Sequence, residues 1–255
     1  MNIENRYDNE KKYWDKQITK ILNDAFYNYK IDNLSCYEDL FKSISYLSPV
    51  VDFWGNIADK KILDIACGDG WISLSLAKSN AYVYGFDISS KRIEVAKRYA
   101  EVNSLDKRVN FQTMICEEMR YDDNFFDYAI MHAALHHCDI EKTSKQIHRV
   151  LKPGGKAVLI EDYAYNPLMN LYRRFTAHKH TKYEKALSDK ELEVFVSPFS
   201  SHFYTYFGLF NIFETSHDKL LCKIKPFLRS LDNFLYTAAP HIKKYSKLIG
   251  IFVVK

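Results

Sequence analysis

Glycine and proline are scarce, 8 and 6 among 255 residues. No low-complexity linker and no internal repeat interrupts the chain, which favours one domain over separable ones. Cysteine is sparse and scattered. Cys36, Cys67, Cys116, Cys138 and Cys222 are odd in number and never in C-x-x-C spacing. That argues against a disulfide framework or a zinc site and for reduced thiols. No run of about 18 apolar residues occurs, so no membrane span is expected. The start, Met1-Asn2-Ile3-Glu4-Asn5-Arg6, lacks the apolar segment of a signal peptide. These absences predict a cytoplasmic protein without a metal cluster. No Ser/His/Asp nucleophile arrangement is present either.

What is present is apolar and aromatic: 47% hydrophobic and 15% Phe, Trp and Tyr. That suffices for a sizeable core in one large α/β domain. Charge is uneven. Residues 163–255 hold 14 Lys and Arg against 7 Asp and Glu, a net of +7 in a chain of net +4, so residues 1–162 sit at −3.

Three regions follow. Residues 1–58 read as helices over 9–26, 37–47 and 50–57, with Pro49 as a break. Residues 60–162 alternate strand and helix with short links, the pattern of a mainly parallel sheet covered on both faces. Residues 163–255 predict helices near 168–175 and 189–196 and a strand over 202–207. A helical segment over 216–244, interrupted at Pro226 and Pro240, leads to a last buried strand near 249–254.

The most informative stretch is Ile62-Leu63-Asp64-Ile65-Ala66-Cys67-Gly68-Asp69-Gly70. A short apolar run with one acid empties through glycines into a helix start at Trp71. Gly68 and Gly70 let the backbone turn tightly and approach a nucleotide-like ligand. Asp64 would repel a pyrophosphate but suits a ligand bearing a cationic amine. A strand over 81–86 ends in Asp87, roughly 20 residues past the glycines, where an acid can accept from both ribose hydroxyls. Capping of the next helix is the alternative for Asp87. Further on come Phe126-Asp127-Tyr128-Ala129-Ile130, then Ala134-Leu135-His136-His137. Last is Arg149-Val150-Leu151-Lys152-Pro153-Gly154-Gly155, in which Pro153 is expected to stop a helix and the glycines to supply left-handed turns.

Taken in order, these motifs resemble those of the class I S-adenosylmethionine (SAM) dependent methyltransferases, of the small-molecule bacterial type, over about residues 60–162. The resemblance implies a Rossmann-like, seven-stranded, mainly parallel α/β sheet with helices on both faces. Strands six and seven fall at 202–207 and 249–254, with an antiparallel member in that last pair. It divides a single domain into a helical N-terminal lid (1–58), a SAM-binding core (60–162), an acceptor-binding C-terminal cap (163–245) and a last strand (246–255). The implied cofactor contacts are Asp64, Ala66, Gly68, Gly70 and Asp87. Ile88, Cys116, Glu117 (for which solvation is the alternative), His132 and Tyr13 complete the set. SAM would leave as S-adenosylhomocysteine. Cys67 and Cys116 also read as small apolar filler near that ligand.

His136 and His137 sit at the carboxyl edge of strand four, where an imidazole can take a proton from an acceptor hydroxyl. Packing against the cofactor and helix capping are the alternatives. Glu161 lies on the same edge and could orient a histidine, bind an acceptor or cap a helix. Tyr7, Tyr13 and Trp14 could close over the ligand, packing on the core being the alternative, the more so for Trp14. Tyr7, Glu161, Tyr165, Arg173 and Arg174 are the acceptor-binding candidates. His178, Lys179, His180 and Lys182 follow the arginines. Arg forks match phosphate or carboxylate, so an anionic or sugar-type small molecule, methylated on oxygen, is the expected acceptor. Surface-glycan or secondary metabolism is the expected setting. A lipid or quinone acceptor and a non-catalytic SAM-binding protein are the rivals. The N-P-P-Y motif and Pro-Cys nucleophile of nucleic-acid methyltransferases are absent, and a basic tail alone is poor support for nucleic acid. Oligomeric state is not legible.

Overall fold

The computed structural model describes residues 3–22, 35–175, 186–210 and 219–255. Seven strands form its centre: β1 (Lys61–Ile65), β2 (Tyr82–Asp87), β3 (Val109–Thr113), β4 (Phe126–His132), β5 (Leu151–Asp162), β6 (Ser201–Phe207) and β7 (Leu248–Val254). They make one sheet in the order β3-β2-β1-β4-β5-β7-β6. β1 to β5 run parallel, and β7 is antiparallel to both β5 and β6.

The period of two in a strand sends neighbouring side chains to opposite faces. Leu63, Ile65, Met131, Leu159 and Ile251 join one core with Ile147 and Phe195. Ile62, Ile130, Val158, Ile160 and Phe252 join the other. Both faces are therefore apolar, as a covered parallel sheet requires. The helices are α1 (Ile3–Leu22), α2 (Tyr37–Ser43), α3 (Ser48–Trp54), α4 (Trp71–Lys78), α5 (Ser90–Val102), α6 (Ile140–Val150), α7 (Pro167–Phe175), α8 (Asp189–Val196) and α9 (Lys219–Ala238). Tyr37, Phe41, Val50 and Trp54 of α2 and α3 seal the second core. Each fully buried apolar side chain of that kind contributes about 1.5–3 kcal/mol. Local caps agree with the fold. Ser89 Oγ accepts from Arg92 N (3.1 Å) at α5, and Asp139 Oδ1 accepts from Lys142 N (3.1 Å) at α6.

Three prolines depart from expectation. Pro49 lies in the first turn of α3, where its missing N–H costs nothing, so the break falls before it. Pro226 sits inside α9 without ending it, at an exposed position. Pro153 follows the end of α6 instead of making it. Leu151 already pairs with Phe126, and the register then jumps to Tyr128↔Lys156. Of the two glycines in that bulge only Gly154 is left-handed (φ +73°). Gly155 is there for space: a Cβ would lie 2.8 Å from Lys152 O and 3.2 Å from Asp127 O, both main-chain atoms. Gly155→Ala is expected to destabilise the fold by about 2–3 kcal/mol, read from the denaturation midpoint in urea. No helix among the described residues is long and apolar enough to cross a membrane.

Candidate functional site

The helices that follow β1 and β4 pack on opposite faces of the sheet. Between those two strands the carboxyl edge is left open, which is where ligands bind in such sheets. A cavity of about 260 Å³ occupies this crevice. Its floor comes from the strand ends: Asp64, Ala66, Cys67 and Gly68 after β1; Asp87 and Ile88 after β2; Met114, Ile115 and Cys116 after β3; His132 and Ala133 after β4. Two alanines here hold left-handed backbone, Ala66 at φ 54° and Ala133 at φ 53°. Such strain concentrates at ligand sites.

Gly68 (φ +58°) turns its N–H onto Asp87 Oδ2 at 3.0 Å, and a Cβ there would lie 2.9 Å from Arg92 Nη1. Asp87 Oδ1 accepts from Ser89 N at 2.8 Å. The helix cap is therefore Ser89, and Asp87 is a buried acid gripped by main chain. Burial raises its pKa, partly offset by Ser89 N–H, Arg92 and Gly68 N–H. Asp64 is 2% exposed and accepts from Ser73 Oγ at 2.5 Å. Burial pushes its pKa up to about 7, with Ser73 opposing. His132 is clasped between Tyr46 (stacked, centroids 5.5 Å apart) and Trp71 (edge-on, 5.7 Å), and burial lowers its pKa.

The roof is α1. Tyr7, Glu10 and Trp14 recur at helical spacing and face the cavity. Burial and Glu117 raise the Tyr7 hydroxyl to about 12. Trp14 carries the Arg92 guanidinium over its ring at 4.7 Å and meets His137 edge-on at 5.8 Å. Glu10 Oε2 lies 3.3 Å from His137 Nδ1. Glu10 and Arg92 carried no sequence motif. Their only signal was phase: Glu10 shares a helix face with Tyr7 and Trp14, and Arg92 lies in the first turn after Asp87.

Several candidates fall elsewhere. Tyr13 stands about a quarter turn from Trp14, outside the cavity, packed edge-on against that ring. Gly70 (φ +84°) caps α4 and shapes the loop without lining the cavity. Glu117 is buried, neither solvated nor in the cavity wall. It pairs with Arg6 and accepts from Asp139 N at 2.7 Å, fastening α1 to the core. Glu161 is fully buried and its oxygens are committed. Oε1 accepts from Ala134 N (2.8 Å) and Leu135 N (2.7 Å), and Oε2 meets His136 Nδ1 at 2.6 Å. Burial opposes ionisation, yet His136 and the two N–H donors lower its pKa on balance. Glu161 thus orients His136 and shapes the loop; His136 lies tilted against His137 (4.2 Å between centroids), and His137 lines the cavity. Tyr165 Oη accepts from Asp189 N (3.1 Å), away from the crevice. Arg173 is engaged by Asp162 Oδ2 (2.8 Å) and Asn170 Oδ1 (3.0 Å), and Arg174 is exposed on α7. His178, Lys179, His180 and Lys182 lie outside the described residues.

Residues 63–159 match a family described as "Methyltransferase domain". The chain is 30% identical over 145 residues to the ubiquinone/menaquinone biosynthesis C-methyltransferase of Geotalea daltonii, covering 49% of this chain and 62% of that protein. Other curated relatives are spanned over 26% to 51% of their length. Phosphoethanolamine N-methyltransferase 2 of Haemonchus contortus, solved with SAM, shares the fold at 19% identity (TM-score 0.60, 86% of this chain and 56% of that one). So does geranyl diphosphate C-methyltransferase of Streptomyces coelicolor, at 15% identity (TM-score 0.63, 98% and 96%).

Proposed function

Residues 63–159 match a methyltransferase domain, and from that premise we propose that this chain is a class I SAM-dependent methyltransferase that moves a methyl group from SAM to an oxygen of a small-molecule acceptor. The observation that carries the reading is His137, an imidazole on the cavity wall with a carboxylate 3.3 Å from its Nδ1. The residues present fit the cofactor. Gly68 holds a left-handed turn (φ +58°) that a side chain would strain, Asp87 keeps lone pairs for ribose hydroxyls, and Asp64 offers a carboxylate to the methionine amine. When bound, SAM supplies an electrophilic methyl on a sulfonium.

The protein's part is alignment, exclusion of water and proton handling. Glu10 Oε2 lies 3.3 Å from His137 Nδ1, and a neutral imidazole on the cavity wall can take the acceptor's hydroxyl proton. The O–CH3 bond forms as the S–CH3 bond breaks, and the α1 aromatics Tyr7 and Trp14 keep the crevice dry.

The basic excess that points to an anionic acceptor lies away from this wall. Glu10, Asp64, Asp69 and Asp87 line the cavity against Arg92, so a neutral hydroxylated acceptor suits it better than a phosphate or carboxylate. The lipid or quinone alternative draws support from the large apolar residues exposed on α7 and α9.

Calorimetry with SAM, then transfer of a labelled methyl to neutral sugars, quinols and phosphorylated compounds, tests the reading. SAM affinity is expected to rise as pH climbs through about 7, where Asp64 ionises; below that the protonated acid cannot pair with the amine. Label should appear on a neutral hydroxyl with one S-adenosylhomocysteine per methyl. Binding without transfer to any acceptor would make the chain a non-catalytic SAM-binding protein, and no binding would end both readings.

A further inference from the structure

α7 and α9 each turn an apolar stripe to solvent. On α7, Leu168, Leu171, Tyr172 and Phe175 recur at one-turn spacing, are between 48% and 76% exposed, and no residue of that helix is buried. On α9, Phe227 and Phe234 are 70% and 67% exposed and lie opposite the buried Asp232 and Tyr236, with Ile224, 41% exposed, about a quarter turn from Asp232. Hydrogen bonds gather the two helices into one neighbourhood. Asp232 accepts from Leu209 N (3.0 Å) and Phe210 N (2.9 Å), and Phe210 is itself 47% exposed. Asn166, next to α7, donates from Nδ2 to Leu209 O (3.3 Å) and Tyr245 O (2.8 Å). Large apolar residues exposed in one neighbourhood mark an interaction site.

Among the described residues of α7, α9 and the turn at 240–245, Asp232 is the one acid. Arg174, Lys223, Lys225, Lys243 and Lys244 border them. The nearby acids are turned inward, Asp232 onto main-chain N–H groups and Asp162 onto Arg173. A polar face rich in Lys and Arg beside exposed Phe and Leu is the composition of helices that lie in a membrane interface.

We propose that α7 and α9 seat this chain on an anionic lipid bilayer surface. The contact is interfacial, since no described helix is long and apolar enough to cross. A second copy is the poorer occupant, because two identical faces would bring like charges together. The proposal goes beyond methyl transfer and does not depend on it.

Flotation of the full chain with vesicles of phosphatidylcholine, with or without about 30 mol% phosphatidylglycerol, tests it. Binding is expected only to the anionic vesicles and should weaken at about 0.5 M salt. Phe227→Ser with Phe234→Ser, and separately Leu171→Ser with Phe175→Ser, should each lower partitioning about tenfold. Lys223→Glu with Lys225→Glu should remove the preference for anionic lipid. SAM affinity, unchanged in every variant, reports that the core is folded. Failure of the wild-type chain to float with anionic vesicles would overturn the proposal. So would flotation indifferent to all three variants, or a wild-type dimer in sedimentation equilibrium that the serine variants dissolve.

Discussion

Asp87→Ala is expected to weaken SAM binding about 100-fold or more, by calorimetry. The carboxylate has two jobs. It accepts the N–H groups of Gly68 and Ser89, fixing the glycine turn and the start of α5, and it faces the cavity where the ribose would lie. Each charge-assisted hydrogen bond of that kind is worth about 1.5–3 kcal/mol, so losing a ribose pair alone gives the stated factor. Leaving two buried N–H donors without acceptors adds about 1–3 kcal/mol each to the cost of folding, so the midpoint of thermal unfolding should fall as well. Asp87→Asn keeps one carbonyl oxygen and should land between the two. SAM affinity equal to wild type in both variants would remove Asp87 from the site.

The second large effect concerns rate. His137→Ala should lower kcat by about 10²–10⁴ while SAM affinity stays within about threefold of wild type, because His137 is placed to meet the acceptor's proton. Glu10→Gln should lower kcat less, since it removes the carboxylate that lies 3.3 Å from Nδ1. His136→Ala is expected to act through the loop that Glu161 holds, lowering stability along with activity. Undiminished kcat in His137→Ala would show that the acceptor arrives already deprotonated.

What was legible in the chain is what short-range chemistry dictates. The glycine turn and the acid at the tip of β2 are readable because each is set by backbone geometry within a few residues of a strand end. The sheet was readable because alternation of apolar residues is local. Side-chain partners were not. Glu161 stands on the expected edge, yet which groups take its oxygens depends on how the loop after β4 folds back to Ala134 and Leu135. The Arg173 fork suits an anionic ligand, yet it is filled by Asp162, eleven residues earlier in the chain. Helix phase explains Tyr13. Aromatic identity drew attention to it, whereas the face of α1 over the cavity is set by docking on α5, which selects Glu10 and Trp14. Pro226 follows the same logic: its ring penalty is local, and twenty residues of helix around it decide the outcome.

The fastening of α1 has a kinetic consequence. Arg6 holds Glu117, Asp15 Oδ1 accepts from Ser89 Oγ (2.5 Å), and Trp14 covers Arg92. Ser89 and Arg92 lie at the start of α5, and Glu117 lies in the turn after β3, next to the cavity-lining Cys116. Helix docking and ligand docking are therefore expected to reinforce one another. Undocking of α1 is then expected to set the rate at which product leaves, a step that stopped-flow release of S-adenosylhomocysteine would read.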